Sequence, residues 1–531
     1  MEHKGILRPE QALTALQGRI PAYIRRTFLM AVVLGLGTHL YLFANKLPNH
    51  DDVGHLFSAS YGTQSGRWFL PTVLQWDGSY SMPWLIGVLS ILCLAVTACL
   101  AVSLLRIRSR PGCAVAAALL VAFPSVTATF SYMFTADAYC LSTMLAAFSA
   151  YTAVRHRYWG IPLGVASLAL SMGIYQSYFP VAAVLMVGAL LFETLDGEQT
   201  FRQLLLRGLR LAAVLALGMA AYFLLVRLTT RELGLVDYMG ISSMGQLSWS
   251  KLPEMILRCY WEYWVMFVQN GYGFHFAWIK YLLLLSGLGT VVLGIVVLRR
   301  RRLGWQRTAL VVVLVILYPL AGNLIRIMTN GMRVHSLMIY GMVFLPVAPV
   351  ALAEYAAGLS EALPVRRQAA CTVIGWFLLG SMALTAWSYV VTDNQAYLKM
   401  QITFDQSMAY SNRLLSAIER CDGYERGLSV VLVGSNAYTG DLYPTPSLNA
   451  VQLTGVPGLA EVRTSYTYQY FLRYYLGFAD AVYLNDSAEA AALAETEDVR
   501  EKPVYPADGS VRRIGDSIVV KLGPTEPDGA Q

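Results

Sequence analysis

The chain has 531 residues, of which 56% are hydrophobic and only 14% charged, against roughly 45–50% and 25% in soluble domains, so it cannot cover its surface with polar groups and is no ordinary soluble globule. The formal net charge of +7 does not point to nucleic acid, because the arginines stand in short clusters between apolar runs, where orientation in a bilayer accounts for them. Seven cysteines show no CxxC pair and no metal-like spacing, which leaves them as small hydrophobes rather than a disulfide framework.

The residues up to Thr27 are polar and carry no small-residue cleavage site ahead of a short apolar core, so the first apolar segment reads as a retained anchor. A bilayer core takes about 20 apolar residues per helix. Such runs recur at 28–44, 83–105, 113–130, 138–154, 159–175, 178–192, 209–227, 279–298, 308–325, 336–352 and 369–391. About eleven spans are therefore expected, the fifth and sixth interrupted by Gly173, Gln176 and Pro180. Cytoplasmic connections are rich in Lys and Arg. With the N-terminus and its Arg19, Arg25 and Arg26 inside, alternate connections carry Arg106/Arg108/Arg110, Arg155/Arg157, Arg202/Arg207/Arg210, Arg299 to Arg302 and Arg366/Arg367. Every dense cluster then falls on one side, and an odd number of spans puts the tail after Thr392 outside.

Among the outside connections, 45–82 and 229–280 are long and aromatic. The second holds Trp249, Tyr260, Trp261, Tyr263, Trp264, Phe267 and Tyr272, which suits helices lying in the headgroup layer. The tail changes character: 393–419 has helical spacing, LSVVLVGS (428–435) reads as a buried strand, YQYFLRYYLGF (468–478) as an amphipathic helix, and AVYLN (481–485) and SIVVKL (517–522) as further strands. Residues after Gly523 are expected to be disordered. The expected fold is an all-α polytopic membrane bundle over residues 1–392 with a small extracytoplasmic α/β domain over 393–531. The sequence has no internal repeat, no phosphate-cradling glycine loop and no HExxH motif.

The ionisable residues outside the arginine clusters gather at the outer helix ends. KLPNHDDVGHLF places Asp51 and Asp52 beside His50, a few residues after the first span. Adjacent acids at a bilayer surface are ready general bases, since partial desolvation and mutual repulsion raise one pKa; the plain alternative is a capping group for the helix that follows. SGRWFLP sets Arg67 beside Trp68, either a fork for a lipid phosphate next to a headgroup anchor or simply an interfacial anchor that is cationic. SYMFTADAY supplies Asp137 and Tyr139, and an acid at that depth must face water or the bundle interior, because burial at mid-bilayer costs about 2.5–3.5 kcal/mol. GIYQSYFP offers Tyr175, Gln176 and Tyr178 as partners for sugar hydroxyls, Gln176 being equally suited to satisfying the backbone break there. NLIRIMTNGMRVHS puts Arg326 and Arg333 on the side that disfavours positive charge, where an anionic ligand or headgroup phosphate would hold them.

Taken in order, NHDD, SGRW, FTADAY, GIYQSYFP and NGMRVHS resemble the type-II Gtr glucosyltransferases, bacterial membrane enzymes that include O-antigen serotype-converting proteins. The resemblance runs from about Phe28 to Val391 and is weak over the tail. It implies a GT-C architecture, a catalytic acid in the first extracytoplasmic loop, here Asp51 or Asp52, and a polyprenyl-phosphate-linked sugar as donor. The substrate-binding set implied with it is His50, Arg67, Trp68, Asp137, Tyr139, Tyr175, Gln176, Arg326 and Arg333. The expected activity is transfer of a hexose, glucose on the family pattern, to a cell-envelope glycan or glycolipid acceptor outside the bacterial cytoplasmic membrane. An Asp pair can hold a divalent cation, but a lipid monophosphate lacks the diphosphate that usually recruits one, so no cofactor or metal is expected. The rival reading is a flippase that moves the lipid-linked sugar without transferring it. That would favour polar residues at mid-bilayer and inverted repeats, and neither is visible.

Overall fold

The computed structural model describes residues 10, 18–57, 65–229, 249–330, 334–360, 364–434, 446–456, 467–480, 482–483 and 488–523. Each of the eleven apolar runs coincides with a helix, but among the described residues only eight helices are long and apolar enough to cross a membrane, or nine if one bent pair counts as a single span. The differences have local causes. The run at 113–130 divides into Arg110–Val121 and Pro124–Phe130, bent by 42°, because Phe123 precedes proline and takes an extended conformation. Helix Ala136–Arg155 carries Asp137 in its first turn and Arg155 in its last, which lowers its mean hydropathy. Helix Gly160–Ile174 has only 15 residues and ends at an extended Tyr175, followed by a tight turn, Gln176–Tyr178, and helix Phe179–Asp196.

Small residues let the helices close on one another. Ser142 and Ser171 each donate to the other's backbone carbonyl at 2.8 Å, and Ser149 donates to the Gly164 carbonyl at 2.7 Å, which clasps Ala136–Arg155 to Gly160–Ile174. Between Ala22–Ala44 and Pro83–Leu104 the approach is closer still: a Cβ on Gly87 would lie 2.3 Å from the Phe43 ring.

The arginine clusters meet at one end of the bundle. Arg106 and Arg301 both pair with Asp196, at 2.5 and 3.6 Å, and Arg207 pairs with Glu193 at 3.1 Å while also donating to the Val154 carbonyl. Glu354 accepts from the backbone N–H groups of Arg108 and Ser109. The loops with the candidate site residues lie at the opposite helix ends. In the long aromatic connection, helix Leu252–Trp264 leaves Trp261 and Trp264 exposed, as expected of a helix at the headgroup layer.

One helix, Val365–Glu419, runs for 55 residues, roughly 80 Å at 1.5 Å per residue. The boundary expected at 392/393 falls inside it, so the last membrane segment and the tail share one continuous rod. The tail sheet has the order β2-β1-β4-β3, with β1 (Ser429–Val433) parallel to both β2 (Val482–Tyr483) and β4 (Ser517–Lys521), and β3 (Val511–Ile514) antiparallel to β4. One face, with Val430, Leu432, Ile518 and Val520, packs on Leu414 and Ile418 of the rod and Leu472 of helix Tyr468–Leu476; the other, with Val431, Val433 and Val519, packs on Val499. Burial on both faces explains why β1 and β4 read as unbroken apolar runs. The expected disorder after Gly523 concerns 524–531, which lie outside the described residues.

The tail is seated on the site end of the bundle. Phe471 is buried with Val53 against Phe404 and Met408, while Val451, Leu453 and Val456 join the bundle core. The Gly87 contact sets a test of this packing. Gly87→Ala must displace the Phe43 ring and should lower stability by about 1–3 kcal/mol, whereas Gly37→Ala, with no atom within 4 Å of its Cβ, should leave the apparent Tm in detergent unchanged. Equal melting of both variants would show that the two helices do not approach as described.

Candidate active site

In the NHDD segment each residue has a separate local job. Asn49 caps the short helix His50–Gly54, its Oδ1 accepting from Asp52 N at 2.9 Å, and the two acids occupy the first turn, where the helix dipole favours negative charge. Asp52 has no solvent exposure. Its Oδ2 pairs with Lys46 Nζ at 2.5 Å, and its Oδ1 accepts from the Ser81 hydroxyl and from Phe134 N at 3.3 Å. Lys46 Nζ also donates to Ser81 Oγ at 2.6 Å. The carboxylate therefore ties together three separate segments around residues 46–54, 77–81 and 133–135.

Asp51 is placed differently. Its side chain keeps 23% exposure, with His50 Nε2 3.7 Å from Oδ1. His55 Nδ1 donates to the Asp51 carbonyl at 2.7 Å. The two histidines grip the segment that leads to Asp137, His50 meeting Tyr132 edge-on at 6.0 Å and His55 stacking on Phe134 at 4.8 Å.

Asp137, 8% exposed, accepts from Ala138 N at 2.8 Å and lies within electrostatic range of Asp77. Asp77 is 9% exposed and accepts from Ser79 N at 2.9 Å, and burial pushes its carboxyl above the usual carboxylate range. Asp77 was missed in the sequence because its Asp-Gly step reads as a turn; the signal available was an acid between Trp76 and Tyr80 in an outer loop.

SGRW, FTADAY and GIYQSYFP meet in a second cluster. Arg67 Nη1 donates to Tyr139 Oη at 3.0 Å, and its guanidinium lies 4.7 Å over the Tyr175 ring. Tyr139 and Tyr175 stack at 4.4 Å with planes 4° apart. Gln176 Nε2 donates to Tyr222 Oη at 2.7 Å and to the Ser65 carbonyl at 3.2 Å. Trp68 packs so closely on Gly173 that a Cβ there would sit 2.6 Å from the indole, so only glycine fits. Asp137 and Tyr139 share a helix turn, which joins this cluster to the acids.

Arg326 belongs to a third cluster, paired with Glu262 at 2.8 Å and 3.3 Å from Tyr272 Oη, whose hydroxyl donates to Glu262 at 2.6 Å. Arg333 lies outside the described residues. Arg67 and Arg326 each have a local partner, a tyrosine for the first and a glutamate for the second. The cation on the acid pair is Lys46, which the sequence reading passed over.

The tail closes over this end. Ser131 Oγ donates to the Thr454 carbonyl at 3.1 Å, Ser336 N donates to Thr454 Oγ1 at 3.0 Å, and Lys399 Nζ donates to the Val451 carbonyl at 2.9 Å. Tyr475 packs against the Val53–Phe471 pair, and burial together with the Asp52 charge raises its phenol. Among the described residues no group of three or more His, Cys, Asp or Glu gathers as a metal site.

No curated protein and no solved structure matches the chain. The family model described as glucosyl transferase GtrII matches residues 40–346, more than half of the chain, a stretch that contains the Asp51 turn, the Arg67 cluster and Arg326 but not the tail. The chain belongs to the glucosyl transferase GtrII family.

Proposed function

We propose that this glucosyl transferase moves a hexose, glucose on the family pattern, from a polyprenyl-phosphate-linked donor to a cell-envelope glycan on the extracytoplasmic side of a bacterial cytoplasmic membrane, on a GT-C type of scaffold. The observation that carries the reading is the Asp51 turn: a partly exposed carboxylate on a helix locked in place by its fully enclosed neighbour. Asp51 is the general base and Asp52 the positioning residue that fixes it. The acceptor hydroxyl gives its proton to Asp51, its oxygen bonds to the anomeric carbon, and the bond from that carbon to the phosphate oxygen breaks. The polyprenyl phosphate departs with the electron pair.

A phosphate leaving group needs little protonation, so the main demand is preorganised positive charge. Lys46, with 27% side-chain exposure, is the nearest cation to the turn. In this reading Arg67, Trp68, Asp137, Tyr139, Tyr175 and Gln176 serve the donor side, with His50 at the turn, and Arg326 and Arg333 are assigned to the donor phosphate. The scheme asks for no metal, because the donor is a monophosphate. We assign the arginine end of the bundle to the cytoplasm on the bias of Lys and Arg to that side, with the N-terminus inside and the tail outside.

The test uses purified protein in liposomes with polyprenyl-phosphate glucose and envelope polysaccharide. Release of polyprenyl phosphate with labelled polysaccharide is expected, whereas a flippase releases none. Asp51→Asn should cut transfer by about 10²–10⁴-fold, the usual worth of a general base, without changing the melting temperature. Asp52→Asn and Lys46→Met each leave a buried charge or hydrogen-bonding group unmatched and should cost about 3 kcal/mol, the low end for a buried pair because Lys46 reaches solvent. Wild-type rates in Asp51→Asn, with transfer abolished in an undisturbed Asp52→Asn fold, would exchange the two roles.

A further inference from the structure

Beside the Asp51 turn stands a group of aromatic rings contributed by two distant parts of the chain. Phe57 and Tyr80, 58% and 50% exposed, come from the first long connection, and Tyr474, 38% exposed, comes from the tail helix Tyr468–Leu476. Phe57 meets Tyr474 edge-on at 4.9 Å and Tyr80 at 6.5 Å, while Tyr470 stacks on Tyr474 at 5.8 Å with planes 20° apart. Tyr470 also lies against Gly54, 3.5 Å from where a Cβ would stand, so the group begins on the same short helix that carries Asp51.

Contiguous exposed apolar surface on a protein marks a binding region. Two occupants suit tyrosine-rich rings, the bilayer headgroups and a sugar. The placement favours the sugar. The helix carrying Tyr470 and Tyr474 has its other face, with Phe471 and Leu472, in the cores that join the tail sheet to the bundle. The exposed rings therefore belong to the seam between tail and bundle, continuous with the reacting turn. A ring face is electron-rich and attracts the polarised C–H face of a pyranose, while phenol hydroxyls at its rim meet the sugar's own hydroxyls. The Gly54 contact puts the rings beside the short helix that carries Asp51, within reach of a sugar next to one whose hydroxyl meets that residue.

We infer that Phe57, Tyr80, Tyr470 and Tyr474 form a stacking subsite for a pyranose ring of the acceptor glycan, next to the sugar that receives the transferred hexose. The inference rests on the glycosyl-transfer reading and assigns to the tail a share in acceptor recognition.

The experiment measures transfer from polyprenyl-phosphate glucose to extracted envelope polysaccharide, with each substrate varied in turn. Tyr474→Ala and Phe57→Ala should raise the acceptor KM about tenfold, the equivalent of about 1.4 kcal/mol, with the donor KM and melting temperature little changed. Tyr474→Trp, which keeps a ring face, should restore the wild-type KM. Should Tyr474→Ala not fold, Tyr80→Ala on the exposed rim is read in the same way. An unchanged acceptor KM in a folded variant overturns the subsite, as does a defect confined to liposome insertion, which would make the rings a bilayer contact. No transfer by the wild-type protein takes down the glycosyl-transfer reading itself and the subsite with it, so the two failures are told apart.

Discussion

A carboxylate cut off from water is tolerable only if its charge and lone pairs are met from inside the protein, and Asp52 meets that condition by drawing on three pieces of chain at once. Lys46 supplies the counter-charge, Ser81 a hydroxyl and Phe134 a backbone N–H. None of these donors is near the others in sequence, and none belongs to a regular membrane helix. The tie thus does for the loops what apolar packing does for the spans: it removes their freedom to drift relative to one another. Asp51, Asp77 and Asp137 all hang from segments that it holds.

The membrane imposes a second constraint, that every backbone group in the bundle finds a partner within the protein. Where the helices break, side chains from neighbouring elements take over. His39 Nε2 lies 2.9 Å from the Val121 carbonyl and Tyr340 Oη donates to the Leu120 carbonyl, both at the end of the helix that stops before Pro124. Ser142 reaches the Tyr175 carbonyl, Tyr263 the Pro319 carbonyl, and Asn323 and Cys259 bond to each other's backbone oxygens. The irregular backbone that shapes the site is possible because these polar side chains sit beside each break.

What could be read in the sequence follows from the range of the forces involved. Hydropathy acts over whole helices, so the spans and their arginine-rich ends were legible, and so were β1 and β4, buried on both faces. Strand β3 was not, because it lies at a sheet edge with Arg512 and Arg513 exposed and shows no apolar run. Its hairpin signal is the Gly515-Asp516 step, where Gly515 takes a left-handed φ of +60° suited to a two-residue loop. Motif order carried the family resemblance, but that Arg67, Tyr139 and Tyr175 stand in one cluster with Gln176 nearby depends on tertiary contacts. Pairing of charges was not legible, because a salt bridge depends on a few ångströms of tertiary geometry: nothing in the sequence singles out Lys46 as the partner of Asp52, and Arg326 looked unbalanced until Glu262 came beside it.

The continuity of Val365–Glu419 decides how the tail relates to the rest. A flexible linker would leave the tail a separate domain whose contacts with the bundle form and break. A helix that is membrane-embedded at one end and carries Leu414 and Ile418 in the tail core at the other leaves little such freedom. With the rod fixed, the loops that bring Phe471 onto Val53 and Thr454 onto Ser131 and Ser336 lose less chain entropy than a wholly free tail would. The family match ends at residue 346, before the rod begins, so the shared part of the family builds the Asp51 turn, and the part of the chain beyond it builds the roof above that turn. On the proposed reading, a division of this kind leaves the tail, with Tyr474 exposed, able to change the surface an acceptor would meet without altering the Lys46–Asp52 pair in the bundle.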